Sequence, residues 1–185
     1  MNDRVIFSLD NFTVQEIWKL YAHSFESTDE YCAQDQICYD EQSLSAALVD
    51  DDYQKFLLMA DDQIIGLCLM TSNLTKARIA YCNDRFLRHK YPKYAAEGRL
   101  YYVTCICVSP EMQKKGHGLE LLKAVCQFIN DHQAMVAYDF SENKNPGLTG
   151  LITFVGSQMN WNTIEIPLDA QHYTSLYYEH NGIPG

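Results

Sequence analysis

The sequence predicts an α/β protein in which helices flank a central mixed β-sheet. Two observations lead to this fold class. Residues 100–108 are a nearly unbroken run of Leu, Tyr, Val, Thr, Cys and Ile, the composition of a strand buried on both faces. From Leu119 to Ile129, apolar residues recur at helical spacing, so the next element is an amphipathic helix that packs back onto that strand.

The N-terminal part of the chain has the signals of a strand followed by a helix. Residues 5–9 alternate between apolar and polar side chains, as a strand does. Residues 13–16 have the form of a capping box, and Phe12 and Ile17 are placed as a hydrophobic staple. A first helix is therefore expected to begin here and to end near Phe25.

The middle of the chain predicts a second helix, a hairpin and a long connection. Residues 43–49 are typical of a short helix, and residues 55–60 are expected to pair with residues 63–70 across a tight turn. Residues 71–98 form an insert before the central strand, within which residues 83–91 predict a helix. Its apolar side chains predict that the insert is ordered: Tyr81, Phe86, Leu87, Tyr91 and Tyr94.

The C-terminal part predicts three more strands and a helix. Residues 134–140 are expected to form a second buried strand, and residues 163–167 and 173–178 are expected to be closing strands. At this length residues 1–185 can form a single domain that buries roughly 70% of the surface of the unfolded chain.

Composition narrows the classes of function. A net charge of −10 argues against general nucleic-acid binding, because phosphate backbones require a basic surface. No apolar run approaches the ~20 residues of a membrane span, and residues 1–7 lack a secretory pattern. Seven cysteines without a C-x-x-C pair indicate reduced thiols and a cytoplasmic location. Cys105 and Cys107 share a strand face and are expected to be core side chains, so no metal site is predicted.

The charges are unevenly placed. Residues 26–62 hold eleven of the 24 acidic residues and a single basic residue, Lys55, whereas residues 76–99 hold seven of the 14 Lys and Arg. Two interpretations stay open. In the first, both stretches are ordinary solvent-exposed surfaces. In the second, the acidic stretch at 26–62 borders a binding site and attracts a cationic amine.

Residues 108–118 read Val-Ser-Pro-Glu-Met-Gln-Lys-Lys-Gly-His-Gly and lead from the central strand into the helix. Two glycines at a helix N-terminus favour the binding of a phosphate group. A dinucleotide fingerprint would need Gly or Ala at Leu121, and a Walker loop would need Lys-Ser or Lys-Thr after a glycine. The loop therefore predicts a pyrophosphate site of another kind.

The pattern Val-x-Pro-x-x-Gln-x-x-Gly-x-Gly resembles the acetyl-CoA loop of the GNAT superfamily of N-acetyltransferases, and the order of the elements is similar to the GNAT fold. A second segment resembles the family's Asn-x-x-Ala-x-x-Leu-Tyr-x-x-x-Gly-Phe pattern, but Ile152 stands in place of the Tyr and Ser157 in place of the Phe. Asn145, Leu151 and Gly156 agree with the pattern, and the apolar Leu148 stands at the position of its Ala.

The resemblance implies acetyl-CoA as co-substrate and a site made largely of main chain. Amides of Ile106, Cys107 and Val108 would bind the pantetheine arm and the acetyl oxygen, and Asn145 would contact the same arm. The pyrophosphate would be held by the loop residues Gln113, Lys114, Lys115, Gly116, His117 and Gly118.

The residues that move protons are less well marked. Ile152 leaves the family's usual general acid absent, because the Tyr at that position is thought to protonate the CoA thiolate. Tyr102 stands where some relatives carry a catalytic Glu, and it is the catalytic candidate, although a phenol is a poor base at neutral pH. The alternative for Tyr102 is a structural role as a packed aromatic side chain. Other candidates are Tyr101, Tyr138, Asp139 and Glu26.

The resemblance thus implies an N-acetyltransferase that transfers an acetyl group to a primary amine of a small cationic molecule or a peptide. Two alternatives stay open: a non-catalytic acyl-CoA sensor of the same fold, and a toxin-like enzyme acting on aminoacyl-tRNA, which the acidic balance disfavours. The insert at 71–98 would wall the acceptor pocket, contact the 3′-phosphate of CoA or form a dimer surface. Tyr-rich segments in the insert and the tail are compatible with a homodimer.

Overall fold

A computed structural model describes residues 3–7, 13–26, 39–77, 83–142, 145–161 and 163–170 of the chain. Its elements follow in the order β1 (Asp3–Ile6), α1 (Val14–Phe25), α2 (Glu41–Val49), β2 (Tyr53–Ala60), β3 (Gln63–Thr71), α3 (Asp84–Lys90), α4 (Pro92–Ala96), β4 (Leu100–Val108), a 3₁₀ turn (Pro110–Met112), α5 (His117–Asp131), β5 (Met135–Ala137) and α6 (Leu148–Gln158).

The strands form one mixed sheet in the order β1-β2-β3-β4-β5. The first three pairs are antiparallel, and β4 and β5 are parallel. The helix α5 provides the crossover that a parallel pair requires. The predicted fold class, a mixed sheet flanked by helices, is confirmed, and the central strand has the predicted bounds.

The two faces of the sheet carry separate apolar cores. The helices α1 and α2 pack on one face, where Cys105 and Cys107 of β4 are buried, as predicted. The helix α5 packs on the other face, against Tyr101 of β4 among others. The register of β3 and β4 shifts between Leu69 and Met70, which makes Thr104 the extra residue of a bulge. The bulge therefore lies in the middle of the central strand.

Side-chain caps fix where the first two helices begin. The Thr13 amide donates to Glu16 Oε2 at 2.8 Å, and the Glu16 amide donates to Thr13 Oγ1 at 3.3 Å, so the predicted capping box is present. The predicted staple residue Phe12 lies outside the described residues. The helix α2 begins at Glu41, two residues before its predicted start, because Asp40 caps it through the Ser43 amide.

The segment predicted to be an insert, residues 71–98, contributes two helices that pack on the sheet. Its helices α3 and α4 share a third apolar cluster with the sheet, in which Leu87 is fully buried beside Leu100, Tyr102 and Ala137. Tyr102 alternates along β4 with Tyr101, which faces α5, so α3 and α4 pack on the same face as α1 and α2. The predicted order is present for the described part of the insert; Tyr81 lies outside it.

Three predicted strands differ from the structure. β1 is Asp3–Ile6 rather than 5–9, and residues 8–9 lie outside the described residues. β5 ends at Ala137 instead of residue 140, because residues 138–140 leave the sheet. Residues 163–167 are not a strand.

No described strand runs beside residues 163–167 to hold them in the sheet. Ile164 and Ile166 are 75% and 52% exposed, while Glu165 between them bonds to side chains of the domain. The alternating pattern that predicted a strand therefore reflects an extended segment anchored by one carboxylate. The other predicted closing strand, at 173–178, lies outside the described residues. Among the helices described, none is long and apolar enough to cross a membrane.

Replacing Leu87 by Ala tests whether the insert is part of the cooperative fold. The side chain is fully buried, so the substitution should lower the free energy of unfolding by about 3 kcal/mol, within the usual range for such a cavity. Urea unfolding followed by circular dichroism measures this.

The matched control is Phe86→Ala, because Phe86 is the adjacent residue and is 39% exposed. This variant should lose less than about 1 kcal/mol. Equal unfolding midpoints for the two variants would show that the third cluster does not stabilise the domain.

Candidate active site

The parallel pair β4 and β5 separates soon after it forms. Pairing joins residues 100–102 to residues 135–137 and then stops, while β4 continues through residues 103–108. Along those six residues, about 20 Å of strand, no described strand covers this edge of β4. The result is a wedge whose wall is main chain with unpaired ladder positions.

Two phenol–carboxylate pairs lie where the wedge opens. The Tyr138 hydroxyl donates to Glu165 Oε1 at 2.6 Å, and Thr153 of α6 donates to the other oxygen of that carboxylate at 2.9 Å. The Tyr102 hydroxyl donates to Asp139 Oδ1. Tyr138 is thus held toward α6, and Asp139 is held against β4, so neither residue continues the ladder.

The resemblance predicts that residues 106–108 of β4 bind the reacting end of the cofactor. In the structure the side chains of these three residues have different surroundings. Cys107 is buried on the face of α1 and α2, and a hydrogen bond from the Cys105 thiol lowers the pKa of the Cys107 thiol. Val108 packs on the other face. Ile106 is 37% exposed, although it lies in the central strand. An exposed apolar side chain beside the open edge is suited to contact an apolar arm of a ligand.

The loop after β4 is held by its own hydrogen bonds. The Ser109 amide donates to the carbonyl of Ile65 on β3 at 2.8 Å. Gln113 turns back, and its side-chain amide donates to the Val108 carbonyl at 3.0 Å. The glutamine of the motif therefore stabilises the turn.

The loop enters α5 through left-handed backbone. Lys114 has φ of 59° and Gly116, the N-cap of α5, has φ of 88°. A Cβ at Gly116 would meet no atom within 4 Å, so glycine is required there for its dihedral angles and not for space. A Cβ at Gly118 would make only an ordinary contact with Val108, at 3.7 Å.

The N-terminus of α5 is available to an anion. Among the described residues no side chain caps it, and the Leu119 amide donates to the Gly116 carbonyl at 3.0 Å. Lys114, Lys115 and Gly116 are exposed, and His117 and Gly118 are half-buried. The structure thus brings these predicted residues together on one open turn.

Asn145 and Ile152 bracket the start of α6. Asn145 is exposed. Its main-chain amide donates to the Ser141 carbonyl at 2.9 Å, and its main-chain carbonyl accepts from the Leu148 amide at 3.2 Å. The helix α6 packs against α5. Ile152 is half-buried and supplies no proton donor, so the residue types at this helix offer no counterpart of the family's tyrosine.

The catalytic candidates predicted from the sequence lie in different parts of the structure. Tyr102 is 4% exposed and lies at the base of the wedge, bonded to Asp139. Burial, followed by the hydrogen bond to Glu165, raises the pKa of Tyr138 and keeps its hydroxyl protonated. Tyr101 packs under α5, and Glu26 bonds to a histidine on α1. Of these, Tyr102 and Asp139 are the pair at the point where the strands divide.

A link between α1 and the glycine loop was missed by the sequence analysis. His23 Nε2 lies 2.7 Å from Glu111 Oε1, and His23 Nδ1 lies 3.1 Å from Glu26 Oε2. Glu111 also accepts a hydrogen bond from Ser109. His23 and Glu111 are 88 residues apart, and no local pattern relates them. The bridge ties the end of α1 to the turn that leads into α5.

Part of the acidic stretch is neutralised within the fold. Lys76 Nζ lies 2.6 Å from Asp50 Oδ2 and 2.7 Å from Asp52 Oδ2. These hydrogen bonds lower the pKa of both carboxyls and raise the pKa of the lysine. Asp50 and Asp52 are therefore paired with a lysine of the same chain. These two of the eleven acidic residues at 26–62 are not left to attract a cationic amine.

A family model described as acetyltransferase (GNAT) family matches residues 14–151, which is most of the chain. The chain belongs to the GNAT acetyltransferase family. This confirms the predicted family and, with it, acetyl-CoA as the cofactor that the family uses. No curated protein matches the sequence.

Solved structures of acetyltransferases share the fold. The ribosomal-protein-S18-alanine N-acetyltransferase from Escherichia coli superposes with a TM-score of 0.54 at 10% identity, covering 84% of this chain and 77% of that chain. An aminoglycoside acetyltransferase, meta-AAC0020 from an uncultured soil metagenomic sample, gives 0.52 at 15% identity, covering 94% and 95%. AAC(6')-Iy, in complex with the bisubstrate analog CoA-S-monomethyl-acetylneamine, gives 0.51 at 14% identity, covering 94% and 100%. At these identities the likeness shows the fold.

The His23–Glu111 bridge predicts a pH dependence. Hydrogen bonds to Glu111 and then to Glu26 raise the pKa of His23 above 6.5, and the bonds that Glu111 accepts from Ser109 and His23 lower the pKa of Glu111 to about 2. The histidine's contribution to stability is complete below pH 6.5 and is lost as the pH rises through its raised pKa. The contribution of Glu111 to stability is complete above pH 4.5 and is lost only as the pH falls toward about 2.

Titration of the His23 ring protons by NMR measures the effect. Glu111→Gln should bring the pKa of His23 down toward 6.5, and Glu26→Gln should do so less, because its bond contributes less. The stability difference between wild type and Glu111→Gln should shrink as the pH rises through the raised pKa of His23, and the part that comes from the Ser109–Glu111 bond should remain. An unchanged His23 pKa in Glu111→Gln would contradict the bridge.

Proposed function

We propose that the protein is an acetyl-CoA-dependent N-acetyltransferase that acts on a primary amine of a small cationic molecule or an exposed peptide amine. The observation that carries the proposal is the wedge between β4 and β5, whose open edge of β4 ends at the uncapped N-terminus of α5. One main-chain surface thus offers donors for a pyrophosphate at one end and for a thioester at the other.

In this proposal the cofactor follows β4. The pyrophosphate lies on the turn from Gln113 to Gly118, where the helix dipole and the amides favour an anion and Lys114 and Lys115 add positive charge. The pantetheine arm runs along the open edge past Ile106, and Asn145 contacts it from the start of α6. Amides at 106–108 then stabilise the oxyanion that forms during acetyl transfer.

The acceptor is assigned to the face of α1, α2 and the insert. α5 occupies the other face, while the insert helices pack beside Tyr102, at the base of the wedge. We propose that residues 71–98 wall the acceptor pocket within a single domain spanning 1–185. Two structural neighbours are a ribosomal-protein-S18-alanine N-acetyltransferase and an aminoglycoside acetyltransferase, which supports an amine as the acceptor class.

A non-catalytic acyl-CoA sensor is the second candidate. It is favoured by one observation: Ile152 stands where the family's proton-donating tyrosine is usual, and it offers the leaving thiolate no donor. Such a protein would bind acetyl-CoA on the same loop and leave it intact.

Free thiol release distinguishes the two candidates. The protein is incubated with acetyl-CoA and, separately, with spermidine, lysine, sisomicin and an alanine-initiated peptide, and released CoA is trapped by a thiol reagent. Release that depends on the added amine supports the enzyme. Tight acetyl-CoA binding by calorimetry without release across the panel favours the sensor.

Substitutions at Gly116 test the phosphate loop. Any side chain is strained at φ of 88°, and Asn tolerates that conformation better than most residues, so Gly116→Asn reports the backbone cost alone. Gly116→Asp has nearly the same shape and adds a negative charge where the pyrophosphate is proposed to bind. Its affinity for CoA should fall at least tenfold below that of Gly116→Asn, as measured by isothermal titration calorimetry.

Thermal unfolding of both variants controls for the strain and should give similar midpoints. Equal CoA affinities in the Asn and Asp variants would remove the pyrophosphate from this turn.

A further inference from the structure

We propose that Tyr102 and Asp139 form a proton-transfer pair that carries the proton of the attacking amine from the base of the wedge to solvent. Tyr102 is the group that meets the amine, and Asp139 acts through it. The inference rests on the proposed acetyltransferase function and adds the route by which the nitrogen loses its proton.

The pair marks the last point at which the two strands are joined. Tyr102 and Ala137 are the final residues in register, and Asp139 lies two residues beyond Ala137 in the sequence. The hydrogen bond from the Tyr102 hydroxyl to Asp139 Oδ1 therefore crosses the base of the wedge. Main-chain amides proposed to hold the thioester begin four residues further along β4, at Ile106.

Tyr102 and Asp139 differ in their exposure to solvent, and the difference suits a path that carries a proton out of the protein. Tyr102 is 4% exposed and packs in the cluster of the insert, whereas the Asp139 side chain is exposed. A buried hydroxyl alone would leave an acquired proton inside the protein. Its bond to a carboxylate in contact with water gives that proton a way out.

The chemistry balances without another reactant. The acceptor amine reacts as the free base, after its ammonium proton has passed to solvent. As the N–C bond forms, an N–H proton passes to the Tyr102 oxygen while the hydroxyl's own proton passes to the Asp139 carboxylate. The C–S bond then breaks, and CoA leaves as the thiolate with the bonding electron pair. Asp139 releases its proton to water, and the thiolate is protonated from solvent, so the phenol stays neutral throughout and its weak basicity is no obstacle.

A second pair in the molecule provides an internal comparison. Tyr138 and Glu165 form the same kind of hydrogen bond, one residue away from Asp139 in sequence, but Tyr138 points to the opposite face, toward Cys126 of α5. That carboxylate is also held by Thr153. The second pair therefore lies on the side of α5 and α6, away from the face to which the acceptor amine is assigned.

The decisive variant is Asp139→Asn, because its amide oxygen still accepts the Tyr102 hydrogen bond but accepts no proton at neutral pH. With the panel amine that gives the fastest thiol release, kcat should fall about 100-fold, at the low end for general acid–base catalysis, while KM for acetyl-CoA changes less than threefold. Tyr102→Phe keeps the packed ring and should lose a similar factor. The double variant should be no slower than the slower single variant, because the two groups act in series.

Glu142→Gln removes an exposed carboxylate three residues beyond Asp139. It is the control for loss of a nearby negative charge, and its kcat should change less than fivefold. If Asp139→Asn retains wild-type kcat while Tyr102→Phe is impaired, the hydrogen bond only shapes the wedge and the proposal is overturned. Multiplied losses in the double variant would overturn it too. Either result leaves the acetyltransferase function intact, whereas a wild-type protein that releases no thiol with any amine ends both proposals.

Discussion

The separation of β5 from β4 after three paired residues is the constraint on which the rest of the site depends. A strand pair that continued to Val108 would bind its own main chain and leave nothing for a ligand. Here β5 turns away where Tyr138 donates to Glu165, which also accepts from Thr153, while Asp139 accepts from Tyr102. Side chains thus keep a stretch of main chain free for recognition.

The glycine turn gives that open edge its direction. β4 ends at Val108, and the turn that follows is pinned to β3 through the Ser109 amide and to its own strand through Gln113. The left-handed Gly116 then starts α5 with its N-terminus at the end of the wedge. Because strand edge and helix end are fixed to one sheet, the distance between them is set before any ligand arrives, which lowers the ordering cost of binding.

The sequence predicted the parts whose signals are local. Composition marked β4 and helical spacing marked α5, and the Thr13 capping box marked the start of α1. The end of β5 and the course of residues 163–167 were predicted wrongly, because strand pairing depends on a neighbour that local alternation does not reveal. The bridge from His23 to Glu111 and the bond from Tyr102 to Asp139 were likewise beyond reach, since each joins residues brought together only by the sheet.

A site made of main chain also accounts for how little sequence the fold requires. The chain shares only 10–15% identity with acetyltransferases whose structures superpose on it. Amides and helix dipoles are supplied by every residue type except proline, so drift in side chains leaves them in place. Proton-transferring groups have no such protection, because each depends on one side chain in one position. Loss of a tyrosine at Ile152 and the pairing of Tyr102 with Asp139 fall in this second class, so it is in its proton chemistry that this chain is expected to differ most from its relatives.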